Sequence, residues 1–118
     1  MTNQIWLDEY KQWNIESTIT LPDKQTSLLD FWDNSFKKFQ QRKAFIFADQ
    51  FFSYAEIDLY SRQVATFLQS LGLEKGTRVA VMMPNIIQYP IISLAVIRAG
   101  YILVNINPLY TARELKHQ

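Results

Sequence analysis

Apolar residues fall along this chain in more than one rhythm, and each change of rhythm marks a boundary between elements. From Val79 to Met83 they are continuous, the pattern of a strand buried on both faces in a parallel sheet. Pro84-Asn85 interrupts that run, a stretch of helical length ends at Ala99-Gly100, and a second apolar run extends from Tyr101 to Ile106. Asn85 is placed to cap the helix and Gly100 to end it in the left-handed conformation. A helix of that length suffices to cross between parallel neighbours. Thr77 to Tyr110 is therefore predicted to be a βαβ unit with a right-handed crossover, and the fold class to be α/β.

The spacing changes upstream. Leu28, Trp32, Phe36 and Phe39, with Phe31 beside them, recur at three- and four-residue intervals after Ser27 and Asp30, which predicts a core-facing helix from Ser27 to Gln41, with the lining of a ligand groove the less favoured reading of the same aromatics. Arg42 and Lys43 then suit its negative end. Ala44 to Ala48, Asp49-Gln50 and Phe51-Phe52 predict a short hairpin around a tight turn. Ser53-x-x-Glu56 is a capping box opening a helix with Ile57, Tyr60, Val64, Phe67, Leu68 and Leu71 on one face. Asp58 and Arg62 are spaced to pair on the other, and Gly72 closes the helix. Leu73 to Gly76 turns into the central strand, and beyond it Asn107-Pro108 leads out of the sheet to a second box, Thr111-x-x-Glu114.

Residues 1–25 form an N-terminal arm and residues 26–118 the α/β unit. The arm holds Trp6, Tyr10, Trp13, Ile15, Ile19 and Leu21 without sustained helical spacing. It is expected to start with a short helix near Asn3 to Tyr10 and to continue extended to Pro22-Asp23. Its apolar side chains need cover, either from the body of the same chain or from a partner subunit.

Composition narrows the function classes. Twelve basic residues against eleven acidic ones give a formal charge of +1, with no basic block interleaved with aromatics, so a nucleic-acid surface has no support. There is no cysteine, hence no disulfide, thiolate nucleophile or cysteine-ligated metal, and the single His117 cannot make a histidine cluster. The first residues lack the basic start and apolar core of a signal peptide, and the composition fits a cytoplasmic protein. Val79 to Ile97 carries no charge over a length that invites a transmembrane reading. Two prolines and two amides within it fit a strand turning into a helix better.

No catalytic constellation can be assembled from these residues. The three glycines, Gly72, Gly76 and Gly100, make neither a phosphate-cradling loop nor a dinucleotide fingerprint. His117 reads as a solvated helix residue rather than a general base. Asn105 and Asn107 sit where the second strand ends, the usual ligand side of a parallel sheet, and are either a polar ligand contact or turn-forming amides. Arg98 is expected to answer the helix dipole and remain in water. No catalytic, cofactor-binding or metal-ligating residue is therefore assigned.

Two stretches resemble the adenylate-forming enzymes, the superfamily of acyl-CoA synthetases, luciferases and peptide-synthetase adenylation domains. Phe52-Ser53-Tyr54-Ala55-Glu56-Ile57 resembles its first core motif, and Val96-Ile97-Arg98-Ala99-Gly100-Tyr101, running on to Asn107-Pro108, its second. MMPNIIQYPIISLAVIRAG with VNINPLYTARELKHQ is similar more specifically to bacterial long-chain fatty-acid-CoA ligases, as are Trp6-Leu7 and Tyr10. The resemblance implies a parent enzyme that joins a fatty acid to ATP as an acyl-adenylate and then forms the coenzyme A thioester, using magnesium. It also implies that the phosphate loop, the adenine and ribose motifs, the hinge and the catalytic lysine all follow the region matched here, so this chain holds no cofactor of its own.

Two function classes follow. One is the incomplete N-terminal portion of a fatty-acid-CoA ligase, inactive alone, whose parent is cytoplasmic with peripheral contact to the inner membrane face allowed. The other is a non-catalytic α/β interaction module that binds a partner subunit. Either way, a βαβ unit has helices over principally one face, and the isolated chain is expected to self-associate.

Overall fold

A computed structural model describes residues 6–16 and 27–118. In chain order the elements are α1 (Trp6–Gln12), α2 (Leu28–Phe39), β1 (Lys43–Phe47), β2 (Gln50–Ser53), α3 (Tyr54–Ser70), β3 (Arg78–Met82), α4 (Gln88–Arg98), β4 (Ile102–Ile106) and α5 (Ala112–His117). The arm's helix begins at Trp6 within the described residues. Asn3, the extended run through Ile19 and Leu21 to Pro22-Asp23, and the boundary at residues 25–26 lie outside them.

Three helices start on reciprocal side-chain caps, as the Ser/Thr-x-x-Asp/Glu spacing requires. Ser27, Ser53 and Thr111 each accept from the backbone N–H three residues on, while Asp30, Glu56 and Glu114 accept in return. The carboxyls are consequently stronger acids than usual. Asp30 is held below its ordinary pKa first by the Ser27 hydroxyl, and Glu56 and Glu114 first by the backbone N–H of Ser53 and Thr111. A carboxyl depressed in the folded chain favours folding above its unfolded pKa, and that contribution is lost as pH falls through the depressed value.

Asn85 does not cap α4, contrary to expectation. Ile87 occupies the N-cap position in a helical conformation with no side-chain bond, and Asn85 lies exposed ahead of it. Pro90 explains why the helix tolerates this. It sits in the first turn, where its missing N–H is one of the donors a helix start leaves unpaired anyway. The hairpin turn also moves by one residue from the expected Asp49-Gln50: Ala48 and Asp49 both have positive φ, 47° and 63°. Two such residues in succession make a turn whose twist matches that of the paired strands.

β3 and β4 pair in parallel, Arg78 opposite Ile102 through Met82 opposite Ile106, and α4 crosses between them. β1 and β2 form a separate antiparallel hairpin that leans on α3. α3 packs along α4 and α2 packs on α3, so the core lies in two adjoining clusters. Phe36, Ile57, Ile87, Ile91 and Leu94 make one; Val81, Val96 and Tyr101 make the other. Burying side chains such as Ile57 and Val96, both at 0% exposure, contributes about 1.5–3 kcal/mol each.

The continuous apolar run of β3 is not buried on both faces. Val81 is buried with Val79 and Met83 beside it, whereas Ala80 is exposed and Met82 is 41% exposed. Among the described residues one helical layer covers the sheet. Two other stripes shift for a related reason. Phe67 and Leu71 are exposed, and α3 instead buries Ile57, Ser61 and Ala65, small enough at the last two to let α4 come close at Ala95. Leu28 and Phe31 are likewise exposed, leaving Phe36 as the buried residue of α2.

Gly100 ends α4 at φ 85°, as expected, and its carbonyl accepts from the Gly76 N–H at 2.9 Å. Gly100→Val is expected to cost about 1 kcal/mol or more, since a β-carbon is strained at that φ; an unchanged melting midpoint would refute it. The half-bare sheet generates a second expectation. Light scattering coupled to size exclusion should show the isolated chain associating as its concentration rises. A monodisperse monomer at every concentration would mean that one helical layer suffices.

Candidate functional site

Arg98 is the last residue of α4, and its side chain is 8% exposed rather than solvated as its position at a helix end suggested. Its Nη2 donates to Asp33 Oδ1 at 2.7 Å and to Asp58 Oδ1 at 2.6 Å, and its Nε donates to Ser61 Oγ at 3.2 Å. The guanidinium also lies 5.7 Å from the centre of the Phe36 ring. One cation thus joins α2, α3 and α4. The cause of the correction is desolvation: once α3 and α4 close over Ser61, that end of α4 is out of water, and a charge there needs charged partners.

Arg62 completes the group from outside. Its Nε donates to both Asp58 oxygens at 3.0 and 3.1 Å, the helix-face pair expected from the spacing, and its Nη2 reaches Asp33 Oδ1 at 3.4 Å. The bond to Asp58 raises the Arg62 pKa above its ordinary value, and burial opposes that shift. Both carboxylates in the group are already paired with a cation. The group locks helices together and leaves neither carboxylate free to act as a base.

Tyr101 makes a second tie between the same elements. Buried at the end of α4, it donates its hydroxyl to the carbonyl of Leu68 at 3.2 Å, near the C-terminus of α3, with Leu73 O at 3.4 Å. Arg98, Gly100 and Tyr101 therefore have distinct structural jobs: an ion-pair junction, a helix stop and a cap on the neighbouring helix.

A wide concavity lies between α2, β1 and the loop that leads from β3 into α4. It has a volume of about 770 Å³ and is walled by Trp32, Phe45, Phe47, Tyr54, Ile86 and Pro90 among others, with no lysine or arginine in its lining. Ile46, at 69% exposure, is on its rim side along with Phe31. The Ser93 hydroxyl, on the α4 wall, is buried without a hydrogen-bond partner, a state that costs roughly 1–3 kcal/mol. Phe31, Trp32 and Phe36 of α2 line this groove, although their stripe was read as core in preference to groove lining. The contribution of the hairpin was missed: its signal was Ala44 to Ala48, where Phe45 and Phe47 alternate with Ile46 and leave both faces of a two-stranded hairpin apolar.

The two asparagines do not converge on the groove lining. Asn107 Oδ1 accepts from the Leu109 N–H at 3.0 Å, which makes it a turn residue, and Asn105 is exposed on β4. His117 lies on α5, which buries nothing. Among the described residues no group of three His, Cys, Asp or Glu side chains could hold a metal, and no helix is long and apolar enough to cross a membrane. The arrangement can hold apolar matter and can organise helices.

The fold and its two tied motifs define an adenylate-forming N-terminal unit, and comparison with known proteins agrees. The profile of AMP-binding enzymes matches residues 32–118, and the chain belongs to that family. It is 43% identical over 116 residues to the long-chain-fatty-acid-CoA ligase of Yersinia pestis, covering 98% of this chain and 20% of that protein. The ligase of the same description from Bacillus subtilis is 39% identical over 113 residues, 96% of this chain and 20% of that one. Among solved structures, the artificially fused adenylation-PCP di-domain NpsA-ThdA from Klebsiella oxytoca superposes with a TM-score of 0.74 at 26% identity, over 77% of this chain and 17% of that one. A putative long-chain-fatty-acid CoA ligase from Rhodopseudomonas palustris shares the fold, with a TM-score of 0.72 at 23% identity over 80% and 24% of the two chains. The chain spans about one fifth of the length of the curated relatives it matches.

Arg98→Leu is expected to lower stability by about 2–3 kcal/mol, less than the roughly 3–5 for breaking a fully buried pair because Asp33 and Asp58 retain water contact. Arg98→Lys should recover only part of this, since an ammonium cannot address both carboxylates and Ser61 in one plane. Denaturant melts of the two variants check it, and an Arg98→Leu midpoint equal to that of the unsubstituted chain would remove the junction from the account.

Proposed function

We propose that residues 1–118 are the N-terminal scaffold of a long-chain fatty-acid-CoA ligase, the parent of which activates a fatty acid with ATP and transfers it to coenzyme A. The observation that carries the reading is 43% identity sustained over 98% of the chain to a protein of that description. The same family provides ATP, magnesium and coenzyme A as the expected co-substrates and cation of the parent, which is read as cytoplasmic.

The described residues themselves do not fit the nucleotide or its metal. A triphosphate calls for cations and converging backbone donors, and the groove has no lysine or arginine. Among the same residues no carboxylate cluster is free to bind magnesium. No step of adenylate chemistry is therefore assigned to this chain. Its part is to hold α3, α4 and the parallel pair in register through Arg98 and Tyr101, at the base of the larger sheet.

The alternative, a non-catalytic module that docks a partner subunit, draws on one feature. α1 buries nothing, and both Trp6 at its start and Trp13 just past its end are exposed. That aromatic surface serves equally for contact with the rest of a ligase, and the family match supports the enzyme reading.

Two assays separate the readings. The isolated chain should show no fatty-acid-dependent ATP-pyrophosphate exchange above a boiled control. A chimera in which residues 1–118 replace the matching segment of the Yersinia pestis ligase should retain at least about a tenth of that enzyme's exchange rate, a loss within roughly 1.4 kcal/mol. A folded but inactive chimera, or exchange by the isolated chain, would overturn the proposal.

A further inference from the structure

We propose that the cationic corner where α2 runs into β1, formed by Lys38, Arg42 and Lys43 around the rings of Phe39 and Phe51, is a docking surface for an anionic lipid bilayer. The proposal deepens the reading of the parent as a ligase with peripheral contact to a membrane, and rests on it.

Net charge conceals the feature. The chain carries +1 overall, yet residues 34–48 hold Lys37, Lys38, Arg42 and Lys43 and no acidic residue, with Phe36, Phe39, Phe45 and Phe47 among them. This run corrects the expectation that no basic block stands among aromatics. All four cations are exposed. Among the described residues none of them forms an ion pair, whereas Arg62 and Arg98 are committed to Asp33 and Asp58. The negative end of α2 suits cations, but a dipole equivalent to about half an elementary charge calls for one of them rather than four.

The rings fix where these cations stand. Lys38 Nζ lies 5.2 Å and the Arg42 guanidinium 5.1 Å from the centre of the Phe39 ring, and Lys43 Nζ lies 4.2 Å from that of Phe51. Phe52 packs against the core, so Phe51, the residue before it in β2, faces the opposite way, and Lys43 stands over it on the outer side of the hairpin. Phe51 is 49% exposed. Lys37 turns elsewhere and lines the small hollow beside Asp33 and Asp58, so it flanks the corner without belonging to it.

This chemistry favours a bilayer over other anions. Neither the wide groove nor the hollow beside Asp33 takes any of the three cations into its lining, and a plane of headgroups needs no cleft. Phe39 and Phe51 carry cations on their rings, which leaves them poorly placed to stack on bases as single-strand binders do. A half-exposed ring beside basic side chains suits the headgroup boundary, where apolar and cationic groups both find partners. Two of the three cations are lysines, point charges on flexible stems that meet anionic headgroups without a fixed geometry.

The test uses the chimera in which residues 1–118 replace the matching segment of the Yersinia pestis ligase. Vesicles containing phosphatidylglycerol are compared with vesicles of phosphatidylcholine alone. Co-sedimentation with the anionic vesicles should be lost as salt is raised. The triple substitution Lys38→Gln, Arg42→Gln and Lys43→Gln should weaken it about 100-fold, at about fivefold for each cation near such a surface. A second readout needs no substitution: acetylation of the Lys38 and Lys43 amines, followed by mass spectrometry, should slow relative to the other lysines when anionic vesicles are added. Equal partitioning of the triple variant or equal binding to neutral vesicles would overturn the proposal. So would acetylation slowed by single-stranded DNA and not by vesicles, which makes the corner a nucleic-acid surface. Fatty-acid-dependent ATP-pyrophosphate exchange, with the substrate supplied in detergent, is scored separately. An active chimera indifferent to anionic vesicles sinks this inference alone, and a folded, inactive one that still binds them sinks the functional reading alone.

Discussion

The guanidinium of Arg98 is the point on which the three-helix arrangement turns. It is nearly out of water, bonded at once to Asp33 on α2 and to Asp58 and Ser61 on α3, and placed over the Phe36 ring. A buried ion pair is weak evidence for net stability, because removing the charges from water offsets much of their attraction. Its stronger effect is on alternatives. Sliding α4 by one turn along α3 would carry Arg98 away from Asp58 and Ser61 and strand a cation against apolar side chains of α3 such as Ile57 or Ala65, which is far more costly than losing apolar contact. The small residues Ser61, Ala65 and Ala95 let the two helices approach, and Arg98 fixes where along their length they do so.

That junction explains how two motifs far apart in sequence act as one structural unit. Phe52 to Ile57 starts α3 through the Ser53–Glu56 box, and Val96 to Tyr101 ends α4. They are connected by Arg98 reaching Asp58 just beyond the first motif and by Tyr101 reaching the carbonyls at the far end of α3. Gly100 serves the same geometry. Its left-handed φ reverses the chain so that Tyr101 points at α3 and Ile102 can pair with Arg78 at the start of the sheet.

What the sequence disclosed follows the range of the interaction concerned. The capping boxes at Ser53 and Thr111 involve groups three residues apart and form as read, and Ser27, read as a helix start, makes a third box with Asp30. The parallel pairing of β3 with β4 and the stop at Gly100 are also local to one βαβ unit. Errors arose where the deciding contact was distant. Arg98 looked like a solvated helix end because Asp33 and Asp58 are 65 and 40 residues away in sequence. Phe67 and Leu71 looked like core because periodicity reports that a face is apolar, and does not report how far along the helix its neighbour extends. The cap assigned to Asn85 is a local exception: the residue type fitted, but α4 begins only at Gln88, beyond its reach as a cap. The hairpin's part in the groove was hidden by distance: α2, β1 and the β3–α4 loop meet only in three dimensions.

The uncovered surfaces of the sheet and the hairpin share one pattern. β3 and β4 are apolar on both faces, and α4 covers one; β1 and β2 form a hairpin with two open edges and an aromatic groove beside it. Charge or proline at such edges is the usual protection against pairing with other chains. Here Arg78 and Lys43 supply charge at the starts of β3 and β1, while Ala80, Met82 and Ile102 lie exposed on one side of the parallel pair and the hairpin presents phenylalanines. These are the residues of interior layers. An α/β sheet of this kind is stable when helices lie over both faces. On the reading proposed above, further strands and helices would bury the same residues whose exposure is expected to drive association, and one sequence pattern accounts for both expectations.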